Sequence, residues 1–596
     1  MKTDLKSDRR LIPMKYIHKT LSISISLIML LMLITACTPS PTNDPSSTTS
    51  AAASASFSDQ TSLPVYTDSD VSSLLSSDTS SENPDFPGST GVSAGTSSAS
   101  VGGQLSSASS SAVSGGADVP LKSIGDVYVN VKDFGAKADG VNDDSGAIEA
   151  AITSINKTGG TVYLPSGRYR MAKGILVPIG ISVIGDTPTT KAKWHSISAT
   201  SSAKAAETGG SSWMASSNFS GTWILVDHGK GNVDSAPTFR IQGNTTIENL
   251  GFVYPGQVPA ATSVSEYPPA VGIITSVANR FVRDGMRIAG LNLLNPYVGI
   301  AIMQNQDIHN YYVGASDTQD GKISTGRITV SDITGSPLLK GIYIKGILDT
   351  VDIQRVRFGY SNFHNQFATY RHNNAVDFEV ARADGINIYD SVSLGASYGI
   401  KTTTAFSGSS SIRASKLTIR SRVPVSVVTG MYIFSESDLY MSNYGGFCSS
   451  DNYTGIEVFQ DPQCVHQPMY LFSKIKLTNE IRSSSKTDIG MHIKMGKSGN
   501  ISVYDSVFNN ASPDTTDPVI LFERNDGSAI SAHFLDCEFT NASGSGLLAR
   551  NVTIQNGALQ FKACVIADSL YSSMPGNSNI WFIGSKLKSG GGLNIR

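Results

Sequence analysis

One short pattern recurs through most of this chain and limits what it can fold into. Two alternating apolar residues are followed by a small or polar residue and then by two more alternating inward-facing residues. It runs as Ile247-x-Asn249-Leu250-x-Phe252, Met286-x-Ile288-x-Gly290-Leu291-x-Leu293, Val351-x-Ile353-x-Arg355-Val356-x-Phe358 and Ile386-x-Ile388-x-Asp390-Ser391. It returns at Ile501–Phe508, Ala532–Phe539, Leu559–Ile566 and Ile580–Leu587. Period-two alternation marks strands with one buried face, and the break marks a corner. Corners at Asp505, Asp536, Ala563 and Gly584 follow one another at steps of 31, 27 and 21 residues. Irregular steps of this size, with no helical periodicity between them, predict a parallel β-helix whose loops vary in length. A second strand type precedes the corners, as in Gly299-Ile300-x-Ile302, Gly341-Ile342-x-Ile344, Gly455-Ile456-x-Val458 and Gly490-Met491-x-Ile493. Two packed antiparallel sheets are the competing fold, but tight Asn-Gly turns do not separate the strands at even spacing.

Composition agrees with many short strands. Only 16% of residues are charged and 56 are glycine, a mix poor for long helices. The balance of 46 basic against 48 acidic residues lacks the basic excess of a nucleic-acid binder. Five cysteines are too few for a disulfide scaffold. At the start, Lys15 and Lys19 precede an apolar run from Leu21 to Thr35, too short for a comfortable bilayer span but suited to a secretory signal. Ile34-Thr35-Ala36-Cys37 resembles a bacterial lipobox, which implies cleavage after residue 36 and diacylation of Cys37, a stable membrane anchor. Residues 38–118 hold 35 Ser/Thr among 81 positions and no Lys or Arg, the composition of a disordered stalk. The expected order is a signal peptide over 1–36, lipidated Cys37 and stalk over 37–118, and a β-helix over 119–596. That places the protein on the extracellular face of a bacterial cell membrane.

The β-helix region opens with Val131-Lys132-Asp133-Phe134-Gly135-Ala136, Asp139-Gly140, Asp143-Asp144 and Ala147-Ile148, then Gly159-Gly160-Thr161-Val162-Tyr163-Leu164-Pro165-Ser166-Gly167-Arg168-Tyr169. This resembles the N-terminal motif of the pectate-lyase superfamily, the pectin-lyase-like proteins. The resemblance implies an all-β, right-handed parallel β-helix that works on carbohydrate; such proteins include polygalacturonase-type hydrolases, lyases, epimerases and phage tailspikes. Physically the motif reads as a cap. Asp143 and Asp144 start a short helix whose Ala147, Ile148, Ala151, Ile152 and Ile155 form one apolar stripe, suited to plugging the open end of the coil. The ordered polygalacturonase motifs do not occur in the rungs. Trp223–His228 and Arg422-Val423-Pro424 echo two pectate-lyase strands, with one residue too many in the first and Val427 in place of the final Arg in the second.

Aligning the second strand type by its inward residues gives outward pairs Tyr343/Lys345, Asp377/Glu379, Lys401/Thr403, Glu457/Phe459 and His492/Lys494. Asp377 and Glu379 then share one outer face about 6.5–7 Å apart, suited to dividing acid and base roles. Lys345 and Lys401 flank them, with Tyr343 in the same column, as ligands for uronate carboxylates or an enolate. The competing reading is a cross-strand ion-pair ladder. Glu457 and His492 are the next candidates along the face. Tyr360–Asn373 lacks the repeat and reads as a loop rich in sugar-binding side chains, among them His364, Tyr370, Arg371 and His372. Cys448 and Cys464 are placed to bridge a loop, whereas Cys537 and Cys564 share one template position and read as stacked buried thiols. No His/Cys/Asp set has zinc spacing. No cofactor is expected, and calcium enters only if the chemistry is a lyase's. These readings point to a surface-anchored protein that cleaves a polysaccharide or cell-wall glycan, by hydrolysis or β-elimination, in a groove along the coil. The alternative is a non-catalytic glycan-binding β-helix, like an adhesin or tailspike. The membrane is met through the lipid anchor alone.

Overall fold

A computed structural model describes residues 127–593 except 191–218, 258–263, 275–284, 304–325, 348, 360–364, 404–409, 444–451, 461–467, 482–487, 496–498, 511–517, 525–529, 542–545, 552–558 and 575–579. The chain divides into Met1–Gly115 and Gly116–Arg596. The first unit, with Cys37, lies outside the described residues, as do His364, Cys448 and Cys464.

The described residues of the second unit form a parallel β-helix, the architecture expected from the repeat. Each turn lays strands on three faces, and each strand pairs with its equivalent in the turns before and after. On one face Ile342 sits beside Phe378 and Phe378 beside Ile400. On the next, Val351, Ile386 and Ile412 stack in register. These inward positions are aliphatic or aromatic in nearly every rung and fuse into one continuous core. Toward the C-terminal end the core becomes an aromatic stack, with Phe534, Phe561 and Phe582 ring on ring at 5.2 and 5.4 Å. An antiparallel pair, Thr189–Thr190 with Phe219–Ser220, lies outside the coil's ladder.

The template's small or polar residue is a single-residue corner. Asn249, Gly290, Asp332, Arg355, Asp390, Lys416, Glu436, Lys474, Asp505, Asp536, Ala563 and Gly584 all adopt left-handed backbone, with φ between 47° and 63°. One such residue turns the chain from one sheet to the next without breaking register. Charge alternates from Asp332 to Lys474, and Arg355 grips Asp332 at 2.6 Å while Lys474 lies 3.5 Å from Glu436. Just inside the corner, serines alternate with apolar residues from Val356 to Ser506. Ser391 Oγ accepts the Val356 amide at 3.1 Å, Ser437 the Leu417 amide at 3.1 Å, and Ser506 the Ile475 amide at 3.0 Å. A buried hydroxyl is tolerated there because the corner frees an amide for it. Left-handed backbone disfavours a Cβ by about 1–2 kcal/mol, so exposed Ala563 stores strain that glycine relieves. Ala563→Gly should therefore stabilise the coil by about 0.5–1 kcal/mol after the unfolded-state entropy of glycine is deducted, read as a rise in denaturation midpoint.

The N-terminal end is closed as the motif suggested. Helix Ser145–Ile155 buries Ile148, Ala151, Ile152 and Ile155, with Ala147 partly covered. Asp143 accepts the Ser145 amide and hydroxyl at 3.0 and 2.6 Å. Asp144 instead turns back to take the amides of Lys137 and Ala138 at 2.6 and 3.1 Å, tying the helix start to the preceding turn.

Candidate functional site

The structure separates Asp377 from Glu379, which the outward-pair alignment had put on one face. Asp377 falls in a column with Gly341 and Gly399, as its neighbours' register shows. A Cβ added at Gly341 would lie 2.5 Å from the Phe358 ring, and one at Gly399 2.3 Å from Ile419. This column therefore faces the interior at a bend where strict alternation fails. In the Asp377 rung the opposing residue is Ser393, stacked between Phe358 and Ile419. A polar group replaces the hydrocarbon plug of the neighbouring turns. Ser393 Oγ donates to Asp377 at 2.6 Å, and Arg371 Nη2 reaches both carboxylate oxygens at 2.7 and 2.6 Å. Arg371 Nη1 also donates to the Pro337 carbonyl at 2.6 Å. Burial raises the Asp377 carboxyl, against the pull of Arg371 and Ser393. Asp377 is a core ion-pair partner with no path to a substrate.

Arg371 arrives there because Asn365–Asn374 is a helix, not a loop. Phe367 and Ala368 pack on Leu338, and Arg371 and His372, one turn further on, share the buried face. Half-buried Tyr370 packs against the same cluster, and the His372 ring stands 6.2 Å from that of Tyr453. Of the residues that suggested sugar binding, Tyr370, Arg371 and His372 serve instead to dock the helix.

Glu379 does face outward, stacked between Tyr343 and Lys401, yet it is only 1% exposed. Its Oε2 takes a 2.7 Å bond from Lys340 Nζ, which lies over the Tyr343 ring at 4.1 Å, and its Oε1 has no hydrogen-bond partner among the described residues. Lys345 sits beside Ala381, one position pair removed from Glu379, and is buried as well. Lys340 was missed in sequence because it precedes the Gly-Ile signal that set the alignment.

The outer column opens farther along the coil. Lys401, Ser426, Glu457 and His492 stack in successive rungs, and Lys401, Glu457 and His492 are partly exposed. Glu457 accepts from Ser426 and has Lys401, Arg422 and His492 around it; burial nevertheless raises its carboxyl above the usual range. Lys401 Nζ lies 4.4 Å from the Tyr398 ring centre, and Arg422 hydrogen-bonds the same residue. Burial, then the Glu457 charge, raises the Tyr398 phenol. On the far side, His492 meets the Phe459 ring edge-on at 5.3 Å and Glu523 at 3.3 Å, with Lys494 3.9 Å from Glu523. A half-buried, poised carboxylate ringed by cations and aromatic faces is suited to proton transfer on an anionic sugar. Tyr398 carried no signal of its own in the sequence, whereas Arg422 belongs to the Arg422-Val423-Pro424 segment that echoes a pectate-lyase strand. Among the described residues no three His, Cys, Asp or Glu side chains gather to hold a metal.

Residues 128–265 match the family model described as rhamnogalacturonase A/epimerase, pectate lyase-like. That match covers the cap and first turns and ends upstream of the whole Lys401–Glu523 face. A 46-residue stretch is 65% identical to alginate lyase 7 of Azotobacter vinelandii, covering 8% of this chain and 5% of that enzyme. Another alignment of 46 residues is 61% identical to a mannuronan C5-epimerase of the same organism, covering 8% and 3%. The chain thus spans a small fraction of the length of these relatives. Among solved structures, a surface adhesin of Streptococcus pneumoniae aligns over 78% of this chain and 96% of its own, with 12% identity and a TM-score of 0.39.

Proposed function

We propose that this is a carbohydrate-active enzyme that opens an acidic polysaccharide by β-elimination on the outer face around Glu457. The observation that carries this reading is the isolation of one poised carboxylate among cations. Paired carboxylates of glycoside hydrolases stand roughly 5–5.5 or 6.5–9.5 Å apart. Among the described residues of this face, Glu379 is three rungs from Glu457 and Glu523 two rungs, so about 14 and 10 Å along the axis alone. Glu523 is also engaged by His492 and Lys494. In this mechanism Glu457 takes the proton next to the sugar carboxylate while Lys401 and Arg422 hold the developing enolate. The C4–O4 bond then breaks, with Tyr398 or His492 protonating the leaving oxygen. The reading draws on no cofactor. It rests on the family match and the short alignments with an alginate lyase and an epimerase for the class of substrate, and on the geometry for the chemistry.

A panel of acidic and neutral polysaccharides tests it, scored for reducing ends and for the ultraviolet absorbance of unsaturated uronate ends. Both signals together are expected. Reducing ends without absorbance would replace elimination by hydrolysis, and retention of glycan with neither signal would favour the non-catalytic binder. The same proposal places the chain at the cell surface through Cys37. Cys37→Ala should shift the protein from membranes to the medium or stall its processing, and a processed variant that stays with the membrane fraction would remove the anchor from the account.

A further inference from the structure

We infer that Cys537 and Cys564 are a redox-sensitive pair that closes into a cross-rung disulfide, a reversible staple on the last turns of the coil. The two residues occupy the same position just inside consecutive corners, Asp536 and Ala563. Register is fixed on both sides: Leu535 pairs with Lys562 and Glu538 with Val565, and the Val565 amide donates to the Cys537 carbonyl at 2.9 Å. Neighbouring parallel strands lie about 4.8 Å apart, within the roughly 4.4–6.8 Å between Cα atoms that a disulfide spans. Both thiols are free and buried.

Elsewhere in this column a serine is followed by an apolar residue, as Ser391 by Leu417 and Ser437 by Ile475. Ser506, Cys537, Cys564 and Ser585 break that alternation and bring two sulfurs together. Cys537 Sγ lies 3.2 Å from the Leu535 carbonyl and Cys564 Sγ 3.4 Å from that of Lys562, two equivalent poses one rung apart. The Cys564 amide donates to Ser585 Oγ at 3.0 Å, which fixes the corner from above. Hydrogen bonds from Cys537 and Ser585 favour the Cys564 thiolate, whereas the Cys537 thiol is pushed up. Exchange can begin at either sulfur; from Cys564 it proceeds in two steps.

The oxidant is an external disulfide such as oxidised glutathione. The Cys564 thiolate attacks one of its sulfurs, forms a mixed disulfide and releases one glutathione thiolate. Cys537 then loses its proton and attacks Cys564 Sγ, the mixed bond breaks, and the second glutathione leaves. Two protein thiols and one oxidised glutathione give one protein disulfide and two reduced glutathiones. Rigid strands keep the Cβ atoms near the rung spacing rather than the roughly 3.8 Å a relaxed disulfide prefers, so the bond is strained and easily reduced.

The full chain would be refolded in glutathione buffers of graded ratio, so that burial does not limit access, then alkylated and digested with trypsin. Cys537 falls in peptide 525–550 and Cys564 in 563–586, so a bridge joins two separate fragments. The joined species should grow with the oxidised fraction, and its thermal midpoint should exceed that of the reduced protein by several degrees. Cys537→Ser, which places there the residue found at Ser506 and Ser585, should fold, keep the midpoint of the reduced protein and give no joined fragment. Recovery of both cysteines singly alkylated in the most oxidising buffer would overturn the assignment, as would their capture by Cys448, Cys464 or Cys37.

Discussion

Asp377→Ala is expected to destabilise the coil by about 3–5 kcal/mol, the penalty for stranding a buried charge. The reason is Arg371, whose guanidinium is fully buried and, among the described residues, finds its counter-charge in that carboxylate alone. Its Nε has no partner among the described residues, and the Pro337 and Leu394 carbonyls, at 2.6 and 3.4 Å, supply dipoles but no negative charge. The triple change Asp377→Gly, Ser393→Ile and Arg371→Met should recover most of the loss. It rewrites the rung as the next one is written, with Gly399 against Ile419. Equilibrium denaturation of the three proteins measures both effects. A single variant within about 1 kcal/mol of wild type would mean that Arg371 finds water or another acceptor on its own.

Glu457→Gln should lower turnover by about 10²–10⁴ on whichever polysaccharide the wild type degrades, with stability little changed. Glutamine keeps the volume and the bond to Ser426 but cannot exchange a proton. The pH profile sharpens the prediction. A general base must be ionised, so the rate should rise with pH through the Glu457 pKa. Burial holds that pKa above the ordinary carboxylate value, and the acid limb should therefore lie above about pH 4.3. Lys401→Met should lower kcat by weakening the hold on the enolate and also raise KM for an anionic substrate, with much of the KM penalty lost at high salt. Near-normal turnover by Glu457→Gln would remove this carboxylate from the chemistry. Glu379, whose Oε1 has no hydrogen-bond partner among the described residues, would then be the next acid to test.

The coil was legible because its two strongest rules are local. Alternation fixed the strands, and several corner residues stood out by chemistry, since Asn, Asp and Gly tolerate left-handed backbone; Arg355 was found by position, whereas the corners at Asp332, Lys416, Glu436 and Lys474 emerged only from the structure. The cap helix was legible through its stripe and its two aspartates. The site was less so, for identifiable reasons. Placing Asp377 outward assumed alternation through a bend, whereas the glycines at 299, 341, 399, 455 and 490 marked that position as one where a side chain meets the core. An aspartate in a glycine column was the available warning. The segment before it looked like a binding loop because Arg371 and His372 were counted as surface groups, and only tertiary contact shows them turned inward. Burial of Glu379 and exposure of Glu457 depend on what covers each rung, which no strand pattern encodes.

The corner column also separates two lengths that other folds keep coupled. Lys416 and Glu436 are 20 residues apart in sequence, and Glu436 and Lys474 are 38, yet each pair is adjacent in the ladder. Each rung advances by one strand spacing however much chain it consumes, and the excess leaves the ladder at fixed exits between strands. Insertions and deletions there alter the outer relief of the molecule while the frame keeps count. Such a frame can change what it holds by trading segments at those exits, with no renegotiation of the interior.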